Sequence, residues 1–285
     1  QIGDSLEWTG AEKVAFRQAL ASYAAVAGVR FRESSTEATD LNFLIVDLEP
    51  GTYAQQSGPD GGLYDGVGFY DRDAFADWSG QLRPGGFAYS VIVHELGHAL
   101  GLAHPHDRGG SSTIFPGVTP NVSDDTGNYG LNTWLYTVMS YNNYGQWWAP
   151  DGEAPYGFVM GPMAFDIAAI QHIYGANMAT GAGSNVYNLP SANRVGTAYS
   201  CIWDAGGTDT LAYTGPSDAT IDLREAPLVG RFAGGYLSRV DGVLGGFTIA
   251  HGVVIENAYG GSGDDRLTGN TADNRLYGNL GHLAP

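Results

Sequence analysis

The chain has 285 residues and a formal charge of −17, with 13 Lys and Arg against 30 Asp and Glu. Hydrophobic residues make up 43% of it, which excludes a disordered or fibrous protein and predicts a globular one large enough for two domains. The negative charge would repel a phosphate backbone, so we expect no nucleic-acid partner. The acidic residues serve either solubility or the binding of hard cations such as calcium.

Cysteine content and hydropathy exclude further classes of protein. Cys201 is the only cysteine, which excludes an intramolecular disulfide and a thiolate metal cluster. No apolar run reaches the roughly 18 residues that span a bilayer, so we expect no membrane partner. Residues 1–10 lack the basic and apolar regions of a signal peptide.

A helix and a strand are predicted first along the chain. The helix covers about residues 10–27, because Thr9 and Glu12 form a capping-box pair ahead of apolar residues at helical spacing. LNFLIV at 41–46 is short, apolar and rich in branched residues, as expected of a buried strand. The Gly-rich stretch 51–86 carries no assigned element.

Two more helices are predicted further along the chain, and the hydrophobic pattern then changes from helical to β-type. One helix covers about residues 89–100, and another begins at Pro162 and ends at Gly175. After about residue 185 short β-type runs alternate with Gly and Asp turns. We therefore predict two domains, residues 1–180 and 181–285.

The segment HELGHALGLAH, which begins at His94, has the spacing of a zinc site. His94 and His98 lie four apart and so face the same way on a helix, where they can share a metal. Glu95 is placed to act as a general base on a metal-activated water. Gly101 permits a tight turn that ends the helix and delivers His104 as a third ligand. Three protein ligands leave one position open, as in catalytic zinc sites.

The length of the motif weighs against a trivial match. A bare HExxH also fits an ordinary surface or capping pair. The added glycine and third histidine, with a later methionine turn YTVMSY at 136–141, disfavour that alternative.

These residues resemble those of the metzincin peptidases, and Pro105, the MSY turn and IYGAN at 173–177 are similar to the serralysin family in particular. The resemblance implies an α+β fold, in which a metzincin zinc-peptidase domain with a mixed sheet and an active-site helix precedes a short calcium-binding parallel β-roll. It also implies that Met139 forms a hydrophobic floor under the ligands. Tyr141 would be a further zinc ligand that swings away to stabilise the oxyanion. Without the resemblance, Met139 is equally a core residue and Tyr141 an aromatic of an ordinary turn.

A nonapeptide pattern appears near the C-terminal end of the chain. GGSGDDRLT at 260–268 matches the GGxGxDxUx repeat, in which aspartate binds calcium and Leu267 fills the interior of a β-roll. The following GNTADNRLY, at 269–277, places Asn274 where the aspartate belongs. The calcium ladder is therefore expected to be short.

The family resemblance implies several calcium ions held by carboxylates and main-chain oxygens of turns. Ordinary polar turns are the alternative, because main-chain ligands leave no signature in a sequence. The implied ligands of three sites are Asp204, Gly206 and Asp209 with main-chain oxygens near Arg194 and Gly196; then Gly207, Asp209 and Glu256; then Gly261, Gly263 and Asp265 on one side of the roll.

The function that follows from the resemblance is that of a secreted, extracellular, monomeric zinc endopeptidase with one catalytic Zn²⁺ and several structural Ca²⁺. Its expected partners are protein or peptide substrates and a proteinaceous inhibitor. Two rival functions stay open: a calcium-dependent adhesive β-roll protein with an inactive hydrolase domain, and a zinc hydrolase with a non-protein substrate. The intact motif argues against the first, and nothing in the sequence excludes the second.

Overall fold

The computed structural model describes residues 7–34, 39–49, 51–59, 64–77, 79–109, 112–143 and 154–278. Within these ranges helices and a mixed sheet make up the first part of the chain, and short, mostly parallel strands make up the last part. The structure therefore has the predicted α+β class.

The first helix, α1, spans Gly10–Val26 and confirms the predicted capping box. The backbone N–H of Glu12 donates to Thr9 Oγ1 at 3.3 Å, and the Glu12 carboxylate accepts from the Thr9 N–H at 2.6 Å. Phe16 and Tyr23 are buried on one face of the helix. Tyr23 donates to the Val93 carbonyl at 2.8 Å, which attaches α1 to the helix of the histidines.

A three-stranded mixed sheet follows α1. Its order is β1 (Asn42–Val46), β3 (Val67–Asp71) and β2 (Ala54–Gln56), with β1 parallel and β2 antiparallel to β3. The strand predicted at 41–46 is confirmed as β1. The short helix α2 (Arg72–Asp77) continues directly from β3.

Two longer helices complete the N-terminal half. Helix α3 (Phe87–Ala99) is buried along most of its length and packs against α1 and β2. Helix α4 (Ala164–Tyr174) ends at Gly175, whose φ of +77° favours glycine. Both predicted helices are confirmed to within two residues at each end.

The C-terminal half consists of short strands that wind into a β-roll. The chain alternates between layers, so β4, β6, β10 and β12 form one parallel sheet, β7 and β11 pair in parallel with β8 at their edge, and β5 pairs with β9. The strand bounds are Val186–Asn188 (β4), Tyr199–Ile202 (β5), Thr210–Ala212 (β6), Ala219–Asp222 (β7), Arg239–Val240 (β8), Gly246–Ile249 (β9), Asn257–Tyr259 (β10), Arg266–Thr268 (β11) and Arg275–Tyr277 (β12).

The interior of this β-roll is apolar. Leu211 and Ala258 occupy the same register in neighbouring strands, as do Ile221 and Leu267. Leu211, Ala258 and Ile221 are fully buried. Ala258 and Leu267 follow the nine-residue spacing, but Leu276, nine residues further on, is 42% exposed, so the apolar interior ends before β12.

Backbone hydrogen bonds connect the two halves. Gly157 donates to the Thr197 carbonyl at 2.8 Å and Met160 donates to the Tyr199 carbonyl at 3.1 Å. One hydrophobic cluster includes side chains from both halves. The domain boundary near residue 180 stays a prediction. Among the described helices, none combines the length and the apolarity that crossing a membrane requires.

Candidate metal centre

Helix α3 and the turn after it bring three histidines together. His94 and His98 lie one helical turn apart, and Gly101, at φ +97°, reverses the chain so that His104 returns to them. The Nε2 atoms of His94 and His104 are 3.2 Å apart, and those of His98 and His104 are 3.0 Å apart. The histidines predicted as ligands therefore converge on one point.

The other ring nitrogen of each histidine is held by an oxygen of the protein. Carbonyl and carboxylate oxygens only accept, so each Nδ1 carries the proton and each Nε2 keeps its lone pair for the shared point. The three acceptors are the Val138 carbonyl for His94 at 2.8 Å, the Leu102 carbonyl for His98 at 2.9 Å and Asp107 Oδ2 for His104 at 2.5 Å.

The spacing and protonation of these rings fit a zinc ion. Lone pairs this close repel one another unless a cation lies between them. A tetrahedral zinc at its usual distance from imidazole nitrogen separates its ligands by about 3.3 Å, close to the observed spacing. Burial lowers the pKa of His94 well below its ordinary value and that of His98 to about 4, so both rings are neutral, as metal ligands must be.

Met139 lies beneath the histidine helix. Its side chain is 1% exposed, and a Cβ on Gly97 of α3 would be only 2.5 Å from the Met139 sulfur. The glycine therefore permits the methionine turn to approach the helix closely. The role of Met139 as a hydrophobic floor under the ligands stays a prediction.

Tyr141 also reaches the histidine cluster. Its hydroxyl is 2.9 Å from His104 Nε2, and its ring lies 5.5 Å from that of His94 at an interplanar angle of 29°. The side chain is 54% exposed, unlike the buried Met139 two residues earlier. The phenol thus lies between the cluster and the solvent, and its role as a ligand or an oxyanion donor stays a prediction.

Glu95 is buried next to the cluster at 7% exposure. Burial raises the pKa of Glu95 to about 8, and a hydrogen bond from the Gln56 backbone N–H opposes this shift. A cation at the histidines would also lower that pKa. The role of Glu95 as a base stays a prediction.

Two acidic residues around this centre were missed in the sequence. Asp107 orients His104, and it has a sequence signal, because metal-binding histidines commonly donate to a carboxylate and Asp107 lies three residues further along the chain. Asp166 contacts the methionine turn from α4, 28 residues beyond Val138, and has no local signal.

A fourth histidine, His106, stacks on His104. The ring centroids are 5.0 Å apart at an angle of 16°, and His106 lies with His104 and Asp107 in a second group of metal-binding residue types. His106 Nδ1 is buried without a hydrogen-bond partner among the described residues.

Three carboxylates meet in the C-terminal half at the first two predicted calcium sites. Asp209 is fully buried, and its backbone N–H donates to Glu256 at 2.7 Å. Burial raises the pKa of Asp209, and the charges of Asp204 and Glu256 raise it further. One Asp209 oxygen accepts from the Asn185 N–H at 2.7 Å, whereas Oδ2 is buried with no hydrogen-bond partner in the described structure. Crowded carboxylates with an unsatisfied oxygen fit a hard cation such as calcium.

The glycines and main-chain ligands of these sites are only partly brought together. Gly206 and Gly207 have φ values of +132° and +147°, and Gly206 donates to Asp204 at 2.8 Å. Arg194 and Gly196 lie in the turn before β5, where the Arg194 carbonyl accepts from Thr197 at 2.9 Å. Between this turn and Asp204 or Asp209, the described residues form no hydrogen bond. The inclusion of Arg194 and Gly196 stays a prediction.

The predicted roll site lies between two adjacent turns. Asp265 Oδ1 accepts from the Ala219 N–H at 2.9 Å, and Asp265 Oδ2 is buried without a partner among the described residues. Gly261 and Gly263 have no room for a side chain, because added Cβ atoms would collide with the carbonyl oxygens of Gly215 and Ser217. The opposite side of the site is therefore the turn at 215–218, which the sequence analysis did not identify.

Comparisons with known proteins agree with this geometry. A matrixin family model matches residues 5–121, which include the three histidines, and so gives the class: zinc metallopeptidase. The model named peptidase M10 serralysin C terminal matches residues 165–282. With these matches and the relatives that follow, the chain belongs to the serralysin family of zinc metalloendopeptidases.

Several curated relatives align with almost the whole chain. Metallopeptidase AprA of Pseudomonas marginalis is 32% identical and the alignment covers 94% of this chain. A serralysin of Photorhabdus laumondii is 34% identical over 96% of the chain, and serralysin G of Dickeya chrysanthemi is 34% identical over 90%. The alignments cover 56%, 56% and 53% of these relatives, so the chain spans just over half of their length.

Proposed function

We propose that this chain is the catalytic part of a secreted zinc endopeptidase that cleaves protein substrates. The observation that carries the proposal is the approach of the Nε2 atoms of His94 and His98 to that of His104, at 3.2 and 3.0 Å, with each Nδ1 proton held by the protein. Family membership supports the peptidase reaction and export from the cell. A monomeric state and a proteinaceous inhibitor are further family expectations.

One zinc ion held by His94, His98 and His104 would supply a Lewis acid that polarises the scissile carbonyl and acidifies a water. Glu95 would act as the general base that accepts a proton from the attacking water and returns it to the leaving amine. Tyr141, whose hydroxyl lies at the edge of the cluster, donates a hydrogen bond to the developing oxyanion. Met139 and Gly97 keep the helix and the turn in close contact beneath the ligands.

We further propose that calcium stabilises the C-terminal half. Asp209 and Asp265 each support this with a buried oxygen that has no hydrogen-bond partner among the described residues. The carboxylates of Asp204 and Glu256 lie beside Asp209. Oxygen donors of this kind suit calcium. The glycines of the turns leave space for main-chain oxygens to approach the ion.

Glu95→Gln tests the catalytic proposal. It should lower hydrolysis of a quenched fluorescent casein by about two to four orders of magnitude, because the amide cannot accept the proton. Zinc content, measured by atomic emission, should stay at the wild-type level. Glu12→Gln is a matched control, because Glu12 is equally buried in a capping box that glutamine also supports, and it should keep full activity.

The wild-type protein and a phenanthroline-treated sample complete this experiment. Wild-type rates in Glu95→Gln would remove Glu95 from the mechanism. A folded, zinc-loaded wild-type protein that cleaves no peptide bond would instead favour a non-protein substrate or the adhesive β-roll function.

A further inference from the structure

Asp166 lies beneath the methionine turn, at the start of α4. It is 2% exposed, and its two oxygens accept three hydrogen bonds. Thr137 Oγ1 donates to Oδ1 at 2.7 Å, and the backbone N–H groups of Val138 and Met163 donate to Oδ2 at 2.7 and 2.8 Å. The carboxylate thus joins the beginning of α4 to the turn that carries the methionine.

A continuous series of hydrogen bonds leads from Asp166 to a zinc ligand. Asp166 holds the N–H of Val138, and the carbonyl of Val138 accepts the Nδ1 proton of His94 at 2.8 Å. Thr137 Oγ1, which donates to Asp166, also accepts from the Met139 N–H at 3.1 Å. Asp166 therefore holds the backbone on both sides of the carbonyl that orients His94.

His94 differs from the other two histidines in the origin of its acceptor. His98 uses Leu102 and His104 uses Asp107, both within four residues. The acceptor of His94 is 44 residues away and belongs to a turn without regular secondary structure. Its position depends on what anchors that turn.

Stability alone does not account for a carboxylate at this place. Burial raises the pKa of Asp166 to about 6, so its charge is kept at a cost in free energy. A neutral amide side chain at this third position of α4 could accept from the N–H of the N-cap residue Met163 without that cost. The charge is suited to holding several N–H and O–H donors in one arrangement.

We propose that Asp166 is a positioning residue of the zinc centre, which holds Val138 so that its carbonyl fixes the tautomer and the ring orientation of His94. The inference rests on the proposed zinc role of His94. Asp166 acts through Val138 and does not touch the metal or the substrate.

Three variants separate positioning from folding. Asp166→Ala removes the acceptor of all three donors. Asp166→Asn keeps one oxygen for the two N–H groups and places an amide against the Thr137 hydroxyl, which can rotate to accept. Ile170→Ala opens a cavity in the same helix, because Ile170 is fully buried, and it leaves the three hydrogen bonds of Asp166 in place.

Two readouts are independent of peptidase activity. Zinc affinity is measured by competition with a chromophoric chelator, and the tautomer of His94 is read from imidazole ¹⁵N–¹H spectra of the metal-free protein. We expect Asp166→Ala to weaken zinc binding by about 10- to 100-fold and to leave His94 in a mixture of tautomers. Asp166→Asn should restore most of both, and Ile170→Ala should lower Tm while changing neither.

Wild-type affinity and a single Nδ1–H tautomer in Asp166→Ala would overturn the inference, as would an equal loss of affinity in Ile170→Ala. If Asp166→Ala does not fold, Thr137→Val replaces it, with a several-fold loss of affinity expected in the same direction. No effect of that variant would count against the proposal. A wild-type protein that binds no zinc refutes the proposed function, whereas the His94 tautomer in the metal-free protein still decides this inference.

Discussion

The proposed zinc centre and the proposed calcium sites in the turns of the β-roll differ in how their ligands are arranged. At the zinc centre each histidine donates its Nδ1 proton to an oxygen of the protein, so hydrogen bonds orient the ligands independently of a metal. In the roll, Asp209 and Asp265 each keep a buried oxygen without a partner in the described structure. Without a metal, the first site therefore keeps its ligands oriented and has only the repulsion between lone pairs of neutral rings, whereas the turns of the roll bring negatively charged carboxylates together.

Selective removal of each metal tests this contrast most strongly. Zinc removal with phenanthroline should abolish peptidase activity and leave the C-terminal half folded, whereas calcium removal with EGTA should loosen that half. Cys201 reports the difference, because it is buried in β5 and burial raises the pKa of its thiol to about 12. We expect alkylation of Cys201 to accelerate in EGTA only.

Equal acceleration of Cys201 alkylation by both chelators would show that the two sites are coupled and would contradict the contrast between them. Alkylation under 1,10-phenanthroline with calcium restored in excess is the control for unspecific chelation.

Asp209→Asn should have the next largest effect: it should lower the unfolding temperature in calcium and raise it in EGTA. Losing calcium at a concentration a hundredfold above its Kd removes about 3 kcal/mol of stability. In EGTA the variant should unfold at a higher temperature than the wild type, because the Asp209 charge no longer opposes those of Asp204 and Glu256. Thermal unfolding of both proteins with and without calcium measures the effect.

Asp241→Asn is a control on an exposed aspartate outside the cluster. If Asp209→Asn lowers Tm equally in calcium and in EGTA, the carboxylate cluster does not hold an ion.

Asn274→Asp should have the smallest effect. Asn274 occupies the position of Asp265 in the next turn, and its Nδ2 donates to the Glu256 carbonyl at 3.1 Å and to Asn270 at 2.8 Å. Aspartate cannot make these donations, so the variant should lose about 1–2 kcal/mol in EGTA and recover part of it in calcium. A calcium titration of Tm measures this, and identical Tm values for variant and wild type in EGTA would show that the amide bonds contribute nothing.

The sequence predicts well what side chains encode at fixed spacing. The histidines, Gly101 and the capping box of α1 were all identified in this way, and the structure has them where they were expected. Main-chain oxygens carry no such signal, so the Val138 and Leu102 carbonyls could not be found. The turn at 215–218 was missed for the same reason.

The sequence also could not predict elements that form only through contacts with residues distant in the chain. The strand β2 has only three residues, AQQ, and forms because it pairs with β3. Asp166 looks like an ordinary first-turn acid of α4 until the fold brings the methionine turn onto it. Its role is a property of tertiary packing and not of the local pattern.

The glycine at position 97 limits how this enzyme can be engineered. Alanine at an interior helix position favours the helix by about 1 kcal/mol over glycine, so a routine stabilisation protocol would choose Gly97→Ala. Here the added methyl group would overlap the Met139 thioether and push the turn away from the helix that carries His94 and His98. Mutant libraries designed for higher thermostability should therefore leave Gly97 unchanged, because the gain in helix stability would be accompanied by a distorted zinc site.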